Sequence, residues 1–323
     1  MTTRVLAPGK LFLVGEYAVL EGFPAVVMAV DRYARVRRSP ISSRSAPLIA
    51  SARSAAARAL GIEPDGNGYE ADSAAFFDGR KKLGLGSSAA VTVASVASVF
   101  FKAGRDVEAA ATRREMWGVA KAVHDGFQKA KGSGADLAAS LFGGFVVFDP
   151  TGPDRPAITR WDFPAETSLV FVWTGRSAST SDALDAVGGL KEKEPTAYRR
   201  IVEEMGAVAR RLVSRNAAPT AGVIGSFREY AQLMDDLGRR AGVPIVTTAI
   251  EKVIHMAREL GGAAKPSGAG GGDFVVAAFA DADAAHRFRA AVVDAGFRVF
   301  ELHPAVRGVH VVDVSADEEA RDG

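Results

Sequence analysis

The hydrophobic pattern opens on two runs rich in Val and Leu, residues 5–14 and 25–36. They flank the turn-prone Glu21-Gly22-Phe23-Pro24, and together they predict an N-terminal β-hairpin. Residues 39–78 carry Ser, Ala and Arg with scattered Gly and Pro, and only 52–60 read as a short helix. Residues 87–103 start with a Ser pair suited to an N-cap and are too long for one strand, which predicts a packed helix. A second helix spans 108–130, where Met116, Val119, Ala120 and Val123 share one face, and Lys131-Gly132-Ser133-Gly134 ends it. Residues 137–142 and 145–148 form an apolar pair split by Gly143-Gly144.

A break at Asp149-Pro150-Thr151-Gly152-Pro153 marks a linker or boundary turn. Beyond it the pattern restarts with a strand at 169–173. Helical stretches follow at 196–215, 226–241 and 247–260, then a strand at 274–279, a helix at 282–295 and strands at 298–301 and 308–314. That order predicts an α+β second half, with a frayed end at 318–323.

Composition changes the picture mainly by exclusion. The chain of 323 residues has no cysteine, which removes disulfides, Cys-ligated metals and a thiol nucleophile. With 40 Lys+Arg against 38 Asp+Glu the formal charge is only +2, and no basic run exceeds the three residues Arg80-Lys81-Lys82, so nucleic acid is not an expected partner. The apolar stretch 83–101 contains four Ser, a Thr and two Gly and falls short of a membrane span, while Arg4, Lys10 and Glu16 interrupt any secretory core. A cytoplasmic protein, with no membrane partner and either monomeric or homodimeric, is the expectation.

Three glycine-rich segments carry candidate chemistry. Gly84-Leu85-Gly86-Ser87-Ser88-Ala89 opens an apolar helix, so its first N–H groups and two hydroxyls form a phosphate cradle at the positive helix end. It lacks the Walker A lysine, and the charged lead-in Asp78-Gly79-Arg80-Lys81-Lys82 is unlike the buried strand that a dinucleotide fingerprint needs. Lys265-Pro266-Ser267-Gly268-Ala269-Gly270-Gly271-Gly272-Asp273 has four glycines in nine residues, enough to wrap an anion through its amides. Asp136 follows a glycine hinge, where it reads either as a helix cap or as a base.

Taken in order, Ala7-Pro8-Gly9-Lys10-Leu11-Phe12-Leu13-Val14-Gly15-Glu16-Tyr17-Ala18-Val19-Leu20, the Gly84–Ala90 segment and the Lys265–Asp273 segment resemble the three motifs of the GHMP kinase superfamily. Lys82 before the second motif, the segment Trp173-Thr174-Gly175-Arg176-Ser177-Ala178-Ser179-Thr180 and the form of the third motif are most similar to the phosphomevalonate kinase subfamily. The resemblance implies an α+β, GHMP kinase-like two-domain fold. Residues 1–163 would form an ATP-binding domain like ribosomal protein S5 domain 2, and residues 164–323 a ferredoxin-like domain.

It further implies ATP and Mg²⁺ as cofactors and the small molecule phosphomevalonate as substrate, with a mevalonate kinase or a non-catalytic ligand-binding protein as alternatives. Residues Gly84, Leu85, Gly86, Ser87, Ser88 and Ala89 would bind the ATP phosphates, with Ser88 also a metal ligand. Lys10, Lys82 and Asp136 would be catalytic. Lys10, Lys82, His124, Ser133, Arg176 and Ser179 would bind substrate together with Lys265, Ser267, Gly268, Ala269 and Gly270. An acceptor that already bears a phosphate must meet the donor phosphates without prohibitive repulsion, and Lys10, Lys82, Arg176 and Lys265 are the expected cations. Taken singly, Arg176 also reads as solvated surface charge and His124 as a packed helix histidine. The family's magnesium-holding Glu has no clear match; the corresponding region offers Asp125 and Gln128.

Overall fold

The N-terminal hairpin forms as its pattern requires: β1 (Thr2–Val14) and β2 (Ala25–Arg38) pair antiparallel across a 3-10 turn, Ala18–Glu21. In the computed structural model of the chain the described residues are 2–39, 45–127, 132–152, 156–214 and 219–314, so Gln128, Lys131, Pro153 and residues 318–323 lie outside them. Val26, Met28 and Val30 of β2 enter one buried cluster, while Ala25, Val27 and Ala29 enter another. Both faces of this strand are covered, which is why it reads as one unbroken apolar run.

The chain continues through α1 (Pro47–Ala59), β3 (Tyr69–Asp72) and the two-residue strands β4 (Phe77–Asp78) and β5 (Lys81–Lys82). It then enters α2 (Ser87–Lys102), α3 (Ala110–Phe127) and α4 (Ala135–Phe142) before β6 (Phe145–Asp149) and β7 (Ala157–Arg160). The segment 39–78 thus contains strands as well as the helix; β3 is a short edge partner of β2 with little alternation to reveal it. The Ser pair does not cap α2. Gly86, at φ +80°, is its N-cap, and Ser87 and Ser88 begin the first turn. Small residues along α2 let it sink into the core, where Val93, Val96 and Phe100 are fully buried. Each such side chain contributes roughly 1.5–3 kcal/mol relative to an exposed one.

The second half begins with β8 (Ser168–Trp173) and four helices, α5 (Thr180–Lys193), α6 (Pro195–Val213), α7 (Thr220–Ala241) and α8 (Thr248–Glu259). Then come β9 (Ala263–Pro266), β10 (Phe274–Phe279), α9 (Ala282–Asp294), β11 (Arg298–Phe300) and β12 (His310–Val314). Helix α5 is absent from the sequence reading because Gly188-Gly189 interrupts its apolar face of Ala183, Val187 and Leu190.

Among the described residues β12, β1, β2, β6 and β7 lie in that order in one sheet, with β3 attached to β2; β11, β8, β10 and β9 form the second. The second sheet is antiparallel throughout and follows the split β-α-β order of ferredoxin-like domains. A division at residue 163 separates the strands of the two sheets except for β12, which crosses back to lie beside β1. The largest apolar cluster runs without a break from β1 and α2 to α6 and α7. The two halves therefore share buried surface, and the cleft between them has a fixed floor.

Candidate active site

The cleft occupies about 570 Å³ between the halves, and all three glycine-rich motifs reach it. Strand β1 supplies Lys10. A register shift between Pro8 and Gly9 turns the strand locally, leaving Leu11 and Leu13 in the core and Lys10 and Phe12 on the cleft wall. The Lys10 N–H donates to the Leu85 carbonyl at 2.8 Å, and its ammonium lies 3.5 Å from the Gly84 carbonyl. Motif one is thereby tied to the loop that opens α2. The orphan N–H groups of that helix end give the cleft its positive pole.

Four charged side chains surround Lys10. Burial pushes its ammonium below the ordinary lysine range; Asp136, Asp273 and Glu16 oppose the fall, and Lys82 adds to it. Two cations and three carboxylates are thus within electrostatic reach at one point of the wall. Asp136 is not a helix cap: Gly134 is the N-cap of α4, Ser133 Oγ accepts from the Ala135 N–H at 3.2 Å, and Asp136 stands in the first turn lining the cleft.

Asp273 is a cleft residue that the sequence reading does not single out, although it closes the glycine run of motif three. Its backbone sits at φ +52°, where glycine is usual, held by its N–H donating to the Arg176 carbonyl and its carbonyl accepting from the Thr174 N–H. Its carboxylate accepts from the Ala178 N–H at 3.2 Å and fills the space over Gly84, where a Cβ would come within 2.2 Å of the Asp273 carboxyl carbon. Gly84 is therefore required by a carboxylate from the other half of the chain. Burial raises the Asp273 carboxyl above the ordinary range, opposed by the Ala178 N–H, Lys10 and Lys82.

The remaining wall is hydroxyl-rich. Ser133, Ser179 and Ser267 line it, with Gly268 and Ala269 from motif three. Tyr17, also missed, donates to the Ala269 carbonyl at 2.5 Å, and Ser267 Oγ donates to the Phe12 carbonyl at 3.0 Å, so motif three is fastened onto motif one. His124 is buried on α3, yet it reaches the cleft, with Nε2 3.2 Å from Ser88 Oγ.

Several expected contacts are not brought into the cleft. Lys265 belongs to β9 rather than to the glycine loop, and its side chain is 0% exposed against the equally buried Glu16 carboxylate at 2.5 Å. Its charge is spent within the fold, because a buried ammonium is stable only beside a counter-ion. Arg176 is exposed and is not on the cleft wall; its carbonyl, not its guanidinium, engages Asp273. Leu85 and Ala89 are buried in the core, Ser87 is buried, and none of the three lines the cleft. Gly270 also stands off the wall, against Ile245. Among the described residues the lysines and arginines on the cleft wall are Lys10 and Lys82.

Known proteins resemble the chain in sequence and in fold. Residues 47–144 match the GHMP kinases N terminal domain and residues 215–298 the GHMP kinases C terminal family. The phosphomevalonate kinase of Streptomyces sp. (strain CL190) is 31% identical, over 94% of this chain and 97% of its own length. The mevalonate kinase of Archaeoglobus fulgidus is 27% identical, over 84% and 91%. The solved structure of Streptococcus pneumoniae phosphomevalonate kinase in complex with phosphomevalonate and AMPPNP superposes with a TM-score of 0.75 at 20% identity, covering 93% of this chain and 99% of that one. No helix among the described residues is long and apolar enough to cross a membrane. With both family domains matched in order and a relative of full length at this identity, the chain belongs to the GHMP kinases and is a phosphotransferase.

Proposed function

We propose that the chain transfers the γ-phosphoryl group of ATP to the phosphate of (R)-5-phosphomevalonate. The bond from the γ-phosphorus to the β–γ bridging oxygen breaks as a bond to an acceptor phosphate oxygen forms, leaving ADP and (R)-5-diphosphomevalonate. The observation that carries this reading is the second cation: Lys82 joins Lys10 at the cleft and is felt by it electrostatically. Two ammonium groups suit a junction of two phosphates, where the repulsion between anions is the main obstacle. The Streptomyces relative and the pneumococcal structure, both phosphomevalonate kinases, support the same substrate.

In this reading the Gly84–Gly86 backbone and the first turn of α2 cradle the donor phosphates. Lys10 and Lys82 bridge donor and acceptor, and Ser133, Ser179, His124 and the Ser267–Ala269 segment orient the acceptor. Among the described residues no group of three or more His, Asp or Glu is arranged to hold a metal alone. Mg²⁺ in kinases is held largely by phosphate oxygens and water with one or two protein oxygens. Ser88 Oγ and the Asp136 carboxylate, both hard oxygen donors on the cleft wall, fit that need and would hold it. The ion supplies charge neutralisation across the phosphates.

A second reading, phosphorylation of an alcohol as in mevalonate kinase, is favoured by Asp136 standing beside Lys10, as a base for a hydroxyl would. The two readings separate in a coupled ADP-release assay run in parallel on mevalonate and phosphomevalonate. Turnover of phosphomevalonate and not of mevalonate is expected, and the reverse preference would overturn the proposal. The same assay tests Asp136. An acceptor phosphate has a second pKa of about 6 and needs little help losing its proton, so Asp136→Asn is expected to lower kcat by about tenfold. A loss of roughly 10²–10⁴ that saturating Mg²⁺ does not recover would mark a general base instead and favour the alcohol.

A further inference from the structure

The strands β4 and β5 pair only with each other: Phe77 pairs with Lys82 and Asp78 with Lys81, and among the described residues the hairpin joins neither larger sheet. A ribbon of two residues per strand has no stability of its own in water. Its position is therefore set by what it docks on. The base is anchored in the first half, where Phe76 and Leu83 are buried and the Leu83 N–H donates to the Phe76 carbonyl at 3.0 Å.

The far side is held by the second half. Arg298, at the start of β11, donates to the Asp78 carboxylate. Its guanidinium lies 5.0 Å from the Phe300 ring and 5.8 Å from that of Trp173, its register partner on β8. The Lys81 ammonium lies 5.7 Å from the same buried Trp173 ring, and Ser177 Oγ donates to the Lys82 carbonyl at 2.7 Å. Asp78, Lys81, Trp173 and Arg298 line a separate cavity of about 440 Å³ that Lys82 does not enter. Successive strand residues point to opposite faces, so a ribbon that lays Lys81 on Trp173 turns Lys82 into the cleft.

We propose that Arg298 and Asp78 are positioning residues for phosphoryl transfer: their ion pair across the two halves fixes the ribbon and so sets the direction in which Lys82 enters the cleft. This rests on the reading that Lys82 meets the acceptor's phosphate. The two side chains are 55% and 33% exposed, and such pairs add little to global stability. Their effect is on direction, and a small misplacement of a charge in a cleft is felt in the rate.

The test is steady-state kinetics on the full chain with ATP and phosphomevalonate. Arg298→Gln and Asp78→Asn are each expected to lower kcat/KM about three- to fivefold, the range an exposed pair can supply, with an unchanged melting temperature. Arg298→Lys, which keeps the charge, restores most of the loss. In a Lys82→Met background Arg298→Gln has no further effect, because there is no ammonium left to aim. If Lys82→Met damages turnover while Arg298→Gln is silent, or if the two losses are independent, the positioning role is overturned. If Lys82→Met is itself silent, the reading of Lys82 fails and the proposal falls with it.

Discussion

Replacing Lys10 by methionine is expected to lower kcat by about 10²- to 10³-fold without unfolding the protein, the usual loss when one preorganised stabiliser of transition-state charge is removed. Methionine retains most of the aliphatic stem that packs against Gly86, where a Cβ would come within 3.0 Å of Lys10 Cγ. The backbone link from residue 10 to the Leu85 carbonyl does not depend on the side chain and persists. What is lost is the ammonium whose charged form the carboxylates of Asp136 and Asp273 favour. The ADP-release assay with a thermal melt beside it decides the matter: a change below about threefold, with the fold intact, removes Lys10 from the chemistry.

The same residue gives a pH dependence with a definite sign. The protonated amine is the active form, and burial holds its pKa below the ordinary lysine range. Activity therefore falls as pH rises through that lowered value, and the alkaline limb of the kcat profile stands below the range of a free lysine. Lys10→Arg, whose guanidinium stays charged above pH 12, is expected to move that limb upward even where it costs rate. An alkaline limb left in place by Lys10→Arg would assign it to another group.

Much of this site is legible in local sequence because backbone chemistry carries it. A glycine-serine run at the head of an apolar helix specifies a phosphate cradle, and Gly84, Gly86 and Ser88 all reach the cleft. Lys10 is legible for a related reason: a lysine inside an apolar strand has to emerge somewhere. Lys265 looked the same in a one-dimensional reading, a cation at the edge of a glycine loop. Nothing near it in sequence reveals that the Glu16 carboxylate, 249 residues away, occupies its ammonium. Asp273 is obscured in the opposite sense, since its importance lies in filling the volume over Gly84 on a distant loop. Strand β12 is visible as a strand from its alternation, but its place beside β1 is a fact of topology that period alone does not carry. Side chains whose role depends on a partner from the other half are the ones that local pattern misassigns.

The buried pair turns that distinction into a measurement. Glu16→Gln leaves the Lys265 ammonium fully buried without its counter-ion, and Lys265→Met leaves the Glu16 carboxylate likewise. Breaking a buried pair from one side costs about 3–5 kcal/mol, and a loss of that size is expected for either variant in guanidinium unfolding. The double variant is expected to lose less than the two singles together, since neither charge is then stranded. The site suffers with the fold: Glu16 Oε1 also accepts from the Gly268 N–H at 3.2 Å, and the Tyr230 hydroxyl donates to the Glu16 carbonyl at 2.7 Å. Loosening the pair weakens one of the ties between motif three and motif one, beside those of Tyr17 and Ser267, so substrate affinity declines as a consequence of stability. A substrate-binding cation would behave otherwise. If Lys265→Met raised the KM for the acceptor while the unfolding midpoint stayed unchanged, Lys265 would have to leave Glu16 and turn toward the cleft in the working enzyme.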